Sequence, residues 1–112
     1  MKIDKDFREG IAIIRPDEKH IDGYMAVDFK SKLNEIIQNG GEKIVIDLSS
    51  LEFIDSSGLG AMVSVLKKAG MPGKVKLCCV KDGVRSILEL TRLDKVFPIY
   101  HSVKEAVASF QE

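Results

Sequence analysis

The 112-residue sequence has no excess of either charge, since 17 basic and 17 acidic residues leave a formal net charge of zero. Without a dense basic face nothing can track a phosphate backbone, so no nucleic-acid partner is expected. No apolar run approaches the roughly 20 residues that span a bilayer. The start, Met1-Lys2-Ile3-Asp4-Lys5-Asp6, lacks the apolar segment of a signal peptide. The expectation is a soluble, cytoplasmic chain with no membrane partner. Cysteine is scarce, and the two present, Cys78 and Cys79, are adjacent in a strand-like run. Neighbouring strand side chains point to opposite faces, so the pair is expected to form neither a disulfide nor a metal site and to supply at least one core thiol. The only histidines, His20 and His101, stand in no triad or elbow context. Walker-type loops and metal-ligand spacings are absent. A phospho-aspartate receiver is disfavoured, because Asp47 lies inside its strand pattern and the early strands run into Arg15-Pro16. No enzyme activity, metal or cofactor is therefore expected. Repeats, low-complexity tracts and linkers are also missing, and the length suits one domain over residues 1–112.

What is present centres on Ile54-Asp55-Ser56-Ser57-Gly58-Leu59-Gly60. A strand-like run, Lys43 to Leu48, precedes it and a helix-like run from about Leu59 to Lys68 follows. Two hydroxyls thus fall at a helix start, where unpaired N–H groups and the positive dipole end favour an anion. Gly58 and Gly60 each cost helix propensity, roughly 1 kcal/mol at an interior position, so packing or close approach by another molecule is their expected reason.

Along the chain, Met1–Phe7 and Ile11–Arg15 flank a Glu9-Gly10 turn signal and predict a hairpin. Residues 16–23 are polar and irregular. Asp22 is placed to cap a helix through about Asn39, with Ala26, Phe29, Leu33, Ile36 and Ile37 on one face and Gly40-Gly41 as its stop. Consecutive Ile44, Val45 and Ile46 predict a central strand covered on both sides. The helix after the serines carries Leu59, Met62, Val63 and Leu66 on one stripe, with Lys67-Lys68 in its last turn before Gly70 and a turn at Met71-Pro72-Gly73. Lys74–Val80 alternates like a strand nearer the sheet edge. Asp82 is placed to cap a short helix, Leu93–Tyr100 reads as a loop or short strand, and Ser102-Val103-Lys104-Glu105 is a capping-box pattern opening a last helix. The sum is an α/β fold with about four or five strands and about four helices.

The segment Leu51-Glu52-Phe53-Ile54-Asp55-Ser56-Ser57-Gly58-Leu59-Gly60 resembles the signature of the STAS-domain anti-sigma factor antagonists. The order of strand, Asp-Ser-Ser-Gly-Leu-Gly, amphipathic helix, strand, Leu90-Thr91-Arg92-Leu93-Asp94-Lys95-Val96-Phe97 and short final helix also matches. Residues 40 to 110 carry most of the likeness. Residues 16–22 depart from the Gly-Glu-Leu-Asp-like stretch of many relatives. The resemblance implies a STAS fold with a mixed sheet, and a chain that binds an anti-sigma factor which is also a serine kinase. Ser56 is the implied phosphoacceptor, with Ser57 as competitor and Asp55, Gly58 and Gly60 in support. Asp55 reads equally as a cap and as the group orienting the Ser56 hydroxyl. The implied docking residues are Asp22, Leu59 and Met62, with core packing the alternative for the last two, and residues 16–24 as the source of partner specificity. A phosphatase would reset the switch, and the free protein would be a monomer. Two other readings remain open: a STAS-like structural subunit of a stress-signalling or lipid-transport assembly, and a small hydrolase using Ser56.

Overall fold

The computed structural model describes residues 2–39, 43–68 and 74–111. The chain opens with the expected hairpin, β1 (Ile3–Arg8) antiparallel to β2 (Ile11–Pro16). Its two-residue loop has positive φ at both positions, 52° at Glu9 and 81° at Gly10, the combination that matches the twist of the flanking strands. Helix α1 (Gly23–Gln38) follows, then strand β4 (Ile44–Asp47). Between β2 and α1, and again after β4, lie two-residue strands, β3 (His20–Ile21) and β5 (Phe53–Ile54), which pair in parallel with each other. Helix α2 (Ser56–Lys68), strand β6 (Val75–Cys78), helix α3 (Asp82–Leu90), a single 3-10 turn (Leu93–Lys95), strand β7 (Ile99–Tyr100) and helix α4 (Val103–Ser109) complete the order. The main sheet runs β1-β2-β4-β6-β7, parallel except for β1.

β4 sits in the middle and is covered on both faces, as its three consecutive apolar residues require. Ile44 and Ile46 pack on one side with Phe29 and Leu33 of α1, Met62 of α2, and Val84 and Leu88 of α3. Val45 faces the other side, where Ile11, Ile13 and Cys78 meet Ala106 and Val107 of α4. Helix α4 starts as its sequence predicts: Glu105 N donates to Ser102 Oγ at 3.1 Å, and the Glu105 carboxylate accepts from His101 N at 3.2 Å. The Gly40-Gly41 stop, Gly70 and the Met71-Pro72-Gly73 turn lie outside the described residues, as do the side chains of Ile37 and Leu66.

Four expectations need correction. Residues 16–23 are not wholly irregular, because His20 and Ile21 pair with Phe53 and Ile54. β6 does lie nearer the sheet edge than β4, with β7 beyond it, but its polar–apolar alternation is not one of exposure: all four residues are buried, and Lys76 is only 8% exposed. That ammonium is accommodated by Ser109 Oγ at 2.7 Å and by the Phe110 ring, 4.1 Å from its centroid. Asp82 is the first residue of α3 rather than its cap; Lys81 holds the cap position without a side-chain bond. Finally, Cys78 and Cys79 do not face opposite ways. Cys79 has φ +60°, which breaks the alternation at the strand end, and both thiols pack on the α4 side.

Burial pushes the Cys78 thiol far above its ordinary range, and hydrogen bonding and charge interaction with Cys79 and Asp47 add to the shift. The folded chain thus keeps a proton that the unfolded chain releases near pH 8.5. The stabilisation is fully present below that pH and is lost as pH rises above it. Urea titrations at stepped alkaline pH are expected to show a fall of up to about 1.4 kcal/mol per pH unit from this one group, and a shallower fall in Cys78→Ala.

Candidate functional site

Helix α2 begins with Ser56, and the residue before it is the cap: Gly58 N donates to Asp55 Oδ1 at 2.8 Å, and Leu59 N to the Asp55 carbonyl at 2.9 Å. A carboxylate in this position contributes about 1 kcal/mol to the helix. Of the two roles weighed for Asp55, capping is the one its contacts display. Its other oxygen, Oδ2, lies 3.9 Å from His20 Nε2. Ser56 and Ser57 are the first two helical residues and both are exposed. Their N–H groups, at positions one and two of the helix, have no intrahelical acceptor available.

The glycines explain how this start is held. A Cβ on Gly58 would lie 2.4 Å from the Ile21 carbonyl oxygen and 3.1 Å from Ile54 Cγ1. Gly58 therefore lets α2 rest directly on the β3 backbone; its reason is internal packing, not room for a visiting molecule. Gly60 differs, with open space where its Cβ would be. Gly23 is a third constraint, not singled out from the sequence: its Cβ would meet Ser57 Cβ at 2.9 Å, so the starts of α1 and α2 abut. Lys19 O accepts from both Glu52 N, 2.8 Å, and Phe53 N, 3.1 Å, which ties the segment before α1 to the strand before Asp55. His20, an exposed residue, packs its ring against Phe53 with centroids 5.2 Å apart.

The residues expected to meet a partner separate on inspection. Met62 is 2% exposed and belongs to the core, so it is corrected to a packing residue. Leu59 is partly buried against the same core. Asp22 does cap α1, accepting from Tyr24 N at 3.0 Å and Met25 N at 2.9 Å through Oδ1. The apolar side chains that do reach solvent here are others: Tyr24 is 92% exposed, Val27 69% and Phe53 51%. Sequence pattern missed them because Tyr24 and Val27 lie off the buried stripe of α1 and Phe53 lies in a strand of two residues. Among the described residues no helix is long and apolar enough to cross a membrane.

Known proteins share this fold over nearly the whole length of the chain. An anti-sigma F factor antagonist of Paenibacillus polymyxa is 28% identical over 113 residues, covering 99% of this chain and 96% of its own. The crystal structure of an anti-sigma factor antagonist from Mycobacterium paratuberculosis superposes with a TM-score of 0.87 at 23% identity, over 99% of this chain and 94% of that one. The Bacillus cell fate determinant SpoIIAA, solved in its phosphorylated form, gives 0.70 at 18% identity, over 97% and 99%. The STAS domain family model matches residues 2–106, so the likeness takes in the first 40 residues as well. With its mixed sheet, its four helices and the Asp55-Ser56-Ser57-Gly58 start of α2 in this setting, the chain belongs to the STAS domain family of anti-sigma factor antagonists.

Proposed function

We propose that this protein is a binding module switched by phosphorylation of Ser56. Unmodified, it docks on an anti-sigma factor that is also a serine kinase, and docking frees a sigma factor. The observation that carries the reading is the exposed Ser56 hydroxyl at the first position of α2, on a helix start fixed by the Asp55 cap and by the contact of Gly58 with β3. Ser57 is the weaker acceptor because its Cβ lies against Gly23 of α1. Tyr24, Val27 and Phe53, with His20 beside Phe53, form the docking surface around the hydroxyl. Such an exposed apolar cluster is a common mark of a protein interface.

A phosphate on Ser56 adds about −1.5 to −2 charges at neutral pH. The helix start accommodates that charge through free N–H groups and the dipole, so the fold stays intact. The docking face, already carrying Asp55, becomes strongly negative and repels a partner shaped for a hydroxyl. ATP and Mg²⁺ belong to the kinase, and a phosphatase resets the switch. Intact-mass measurement and peptide mapping of the protein from its native cell test this, beside Ser56→Ala and Ser57→Ala. One phosphate that disappears only in Ser56→Ala is the expected result. Absence of phosphate under every growth condition would remove the mechanism, and loss only in Ser57→Ala would move the acceptor.

A further inference from the structure

On the far side of the sheet from α2, three donor groups converge at the carboxyl ends of neighbouring parallel strands. Asp47 ends β4, Cys78 ends β6 directly opposite it in the register, and Cys79 follows. One carboxylate oxygen and the two sulfurs all lie within 4.8 Å of one another. We infer that Asp47, Cys78 and Cys79 form a binding site for a thiophilic divalent cation of the zinc class, with three protein ligands and one open position.

The donor set carries the choice of ion. Two sulfurs and one carboxylate oxygen suit Zn²⁺, which binds sulfur at about 2.3 Å and carboxylate oxygen at about 2.0–2.2 Å. Thiolates disfavour the hard cations Mg²⁺ and Ca²⁺. In a tetrahedral arrangement sulfurs bound at that distance stand about 3.8 Å apart, so closing on an ion needs a movement of about 1 Å at most. The backbone adds a separate observation. Among the described residues Cys79 is one of three non-glycine positions with positive φ, a conformation that costs roughly 1–2 kcal/mol per residue. An extended Cys79 would point its thiol to the opposite face; at φ +60° it joins Cys78 and Asp47 instead.

The Asp47 carboxylate borders a cleft, while Cys78 is fully buried and the two thiols hydrogen-bond within the cluster. A cleft of about 210 Å³ reaches Asp47 from solvent, lined also by Asp4, Lys5, Arg15 and Val103. The nearby Arg15 guanidinium is engaged by Asp4 Oδ2 at 2.6 Å. Asp47 Oδ1 accepts from Ser49 N at 2.9 Å, an outer bond that orients the carboxylate. Lys76, two residues before Cys78, is bonded to Ser109 Oγ and lies over the Phe110 ring. Binding one Zn²⁺ to the two thiols forms two metal–sulfur bonds and releases two protons to solvent.

The test uses the reduced full chain titrated with Co²⁺ and then Zn²⁺, followed by absorption. One Co²⁺ per chain is expected, with sulfur-to-cobalt charge transfer and intense tetrahedral visible bands, both abolished when Zn²⁺ displaces it. Asp47→Asn keeps an acceptor for Ser49 N and is expected to weaken Co²⁺ binding by about 10-fold or more, as is Cys79→Ser. Spectra without sulfur charge transfer would overturn the site, as would binding that is unchanged in both folded variants. Should either variant fail to fold, alkylation of Cys79 in the wild-type chain decides: protection by Zn²⁺ supports the site, and equal rates with and without Zn²⁺ refute it.

Discussion

Phosphorylation of Ser56 is expected to weaken binding to the anti-sigma factor by about 100-fold, and Ser56→Asp by at least about 10-fold. Like charges forced together across an interface cost several kcal/mol, and each 1.4 kcal/mol is about a factor of ten in affinity. An aspartate carries one charge and lacks the reach of a phosphate, which is why its effect is smaller. Ser56→Ala removes only a hydroxyl from an exposed helix start, so its affinity should remain within about threefold of the parent; surface changes of this kind stay within roughly ±0.5 kcal/mol. Calorimetric titration of these four forms and of Ser57→Asp against the partner reads all of this directly. Equal affinity for Ser56→Asp and the parent would sink the charge switch, whereas a loss in Ser57→Asp alone would reassign it.

The second large effect is a difference of sign between two glycines two positions apart, Gly58 and Gly60. Gly58→Ala is expected to destabilise the fold by about 3 kcal/mol, near the upper end for an overpacked site. The new methyl would lie 2.4 Å from the Ile21 carbonyl oxygen, an atom fixed by the pairing of β3 with β5. Helix α2 would have to lift away from β3 and carry Ser56 with it. Gly60→Ala meets nothing within 4 Å. It should stabilise by up to about 1 kcal/mol through helix propensity and the stiffer unfolded chain. Denaturant unfolding of both variants checks the pair, and the packing argument fails if Gly58→Ala is neutral.

These glycines also mark where the sequence was readable. The cost of Gly58 in a helix start could be seen; its reason could not, because the atom it avoids belongs to Ile21, 37 positions earlier. Long periodic elements were legible. Asp22 caps α1, Ile44-Val45-Ile46 lies between two layers, and Ser102 opens α4, each as local pattern predicts. The two-residue strands β3 and β5 were not legible, since two residues carry no period. Lys76 misled in the opposite direction. Its alternation with Val75 and Leu77 looks like a polar position on a strand nearer the edge, yet its ammonium is taken up by Tyr100, Ser109 and Phe110, which arrive from the end of the chain. The cysteines are unbridged and Cys78 is a core thiol, as read, but their facing was misjudged for one torsion angle, φ at Cys79, which no neighbouring residue announces. Met62 obeyed its stripe and lies in the core, while Tyr24, Val27 and Phe53, which the stripe did not mark, are the apolar side chains that reach solvent near it.

The opening hairpin has a further consequence, for behaviour in crowded solution. β1 forms one margin of the main sheet, and its outer backbone groups are a template on which another chain could lay a strand. The residues along that margin include Asp4, Lys5, Asp6 and Arg8, and the last four positions of the strand are exposed. A second backbone would have to approach to about 4.8 Å and strip water from these charges. The opposite margin, β7, is two residues long and offers too little length to seed a ribbon. Sheet-to-sheet fibril growth is thereby resisted at both ends, even though Phe7 stands 65% exposed within the charged strand.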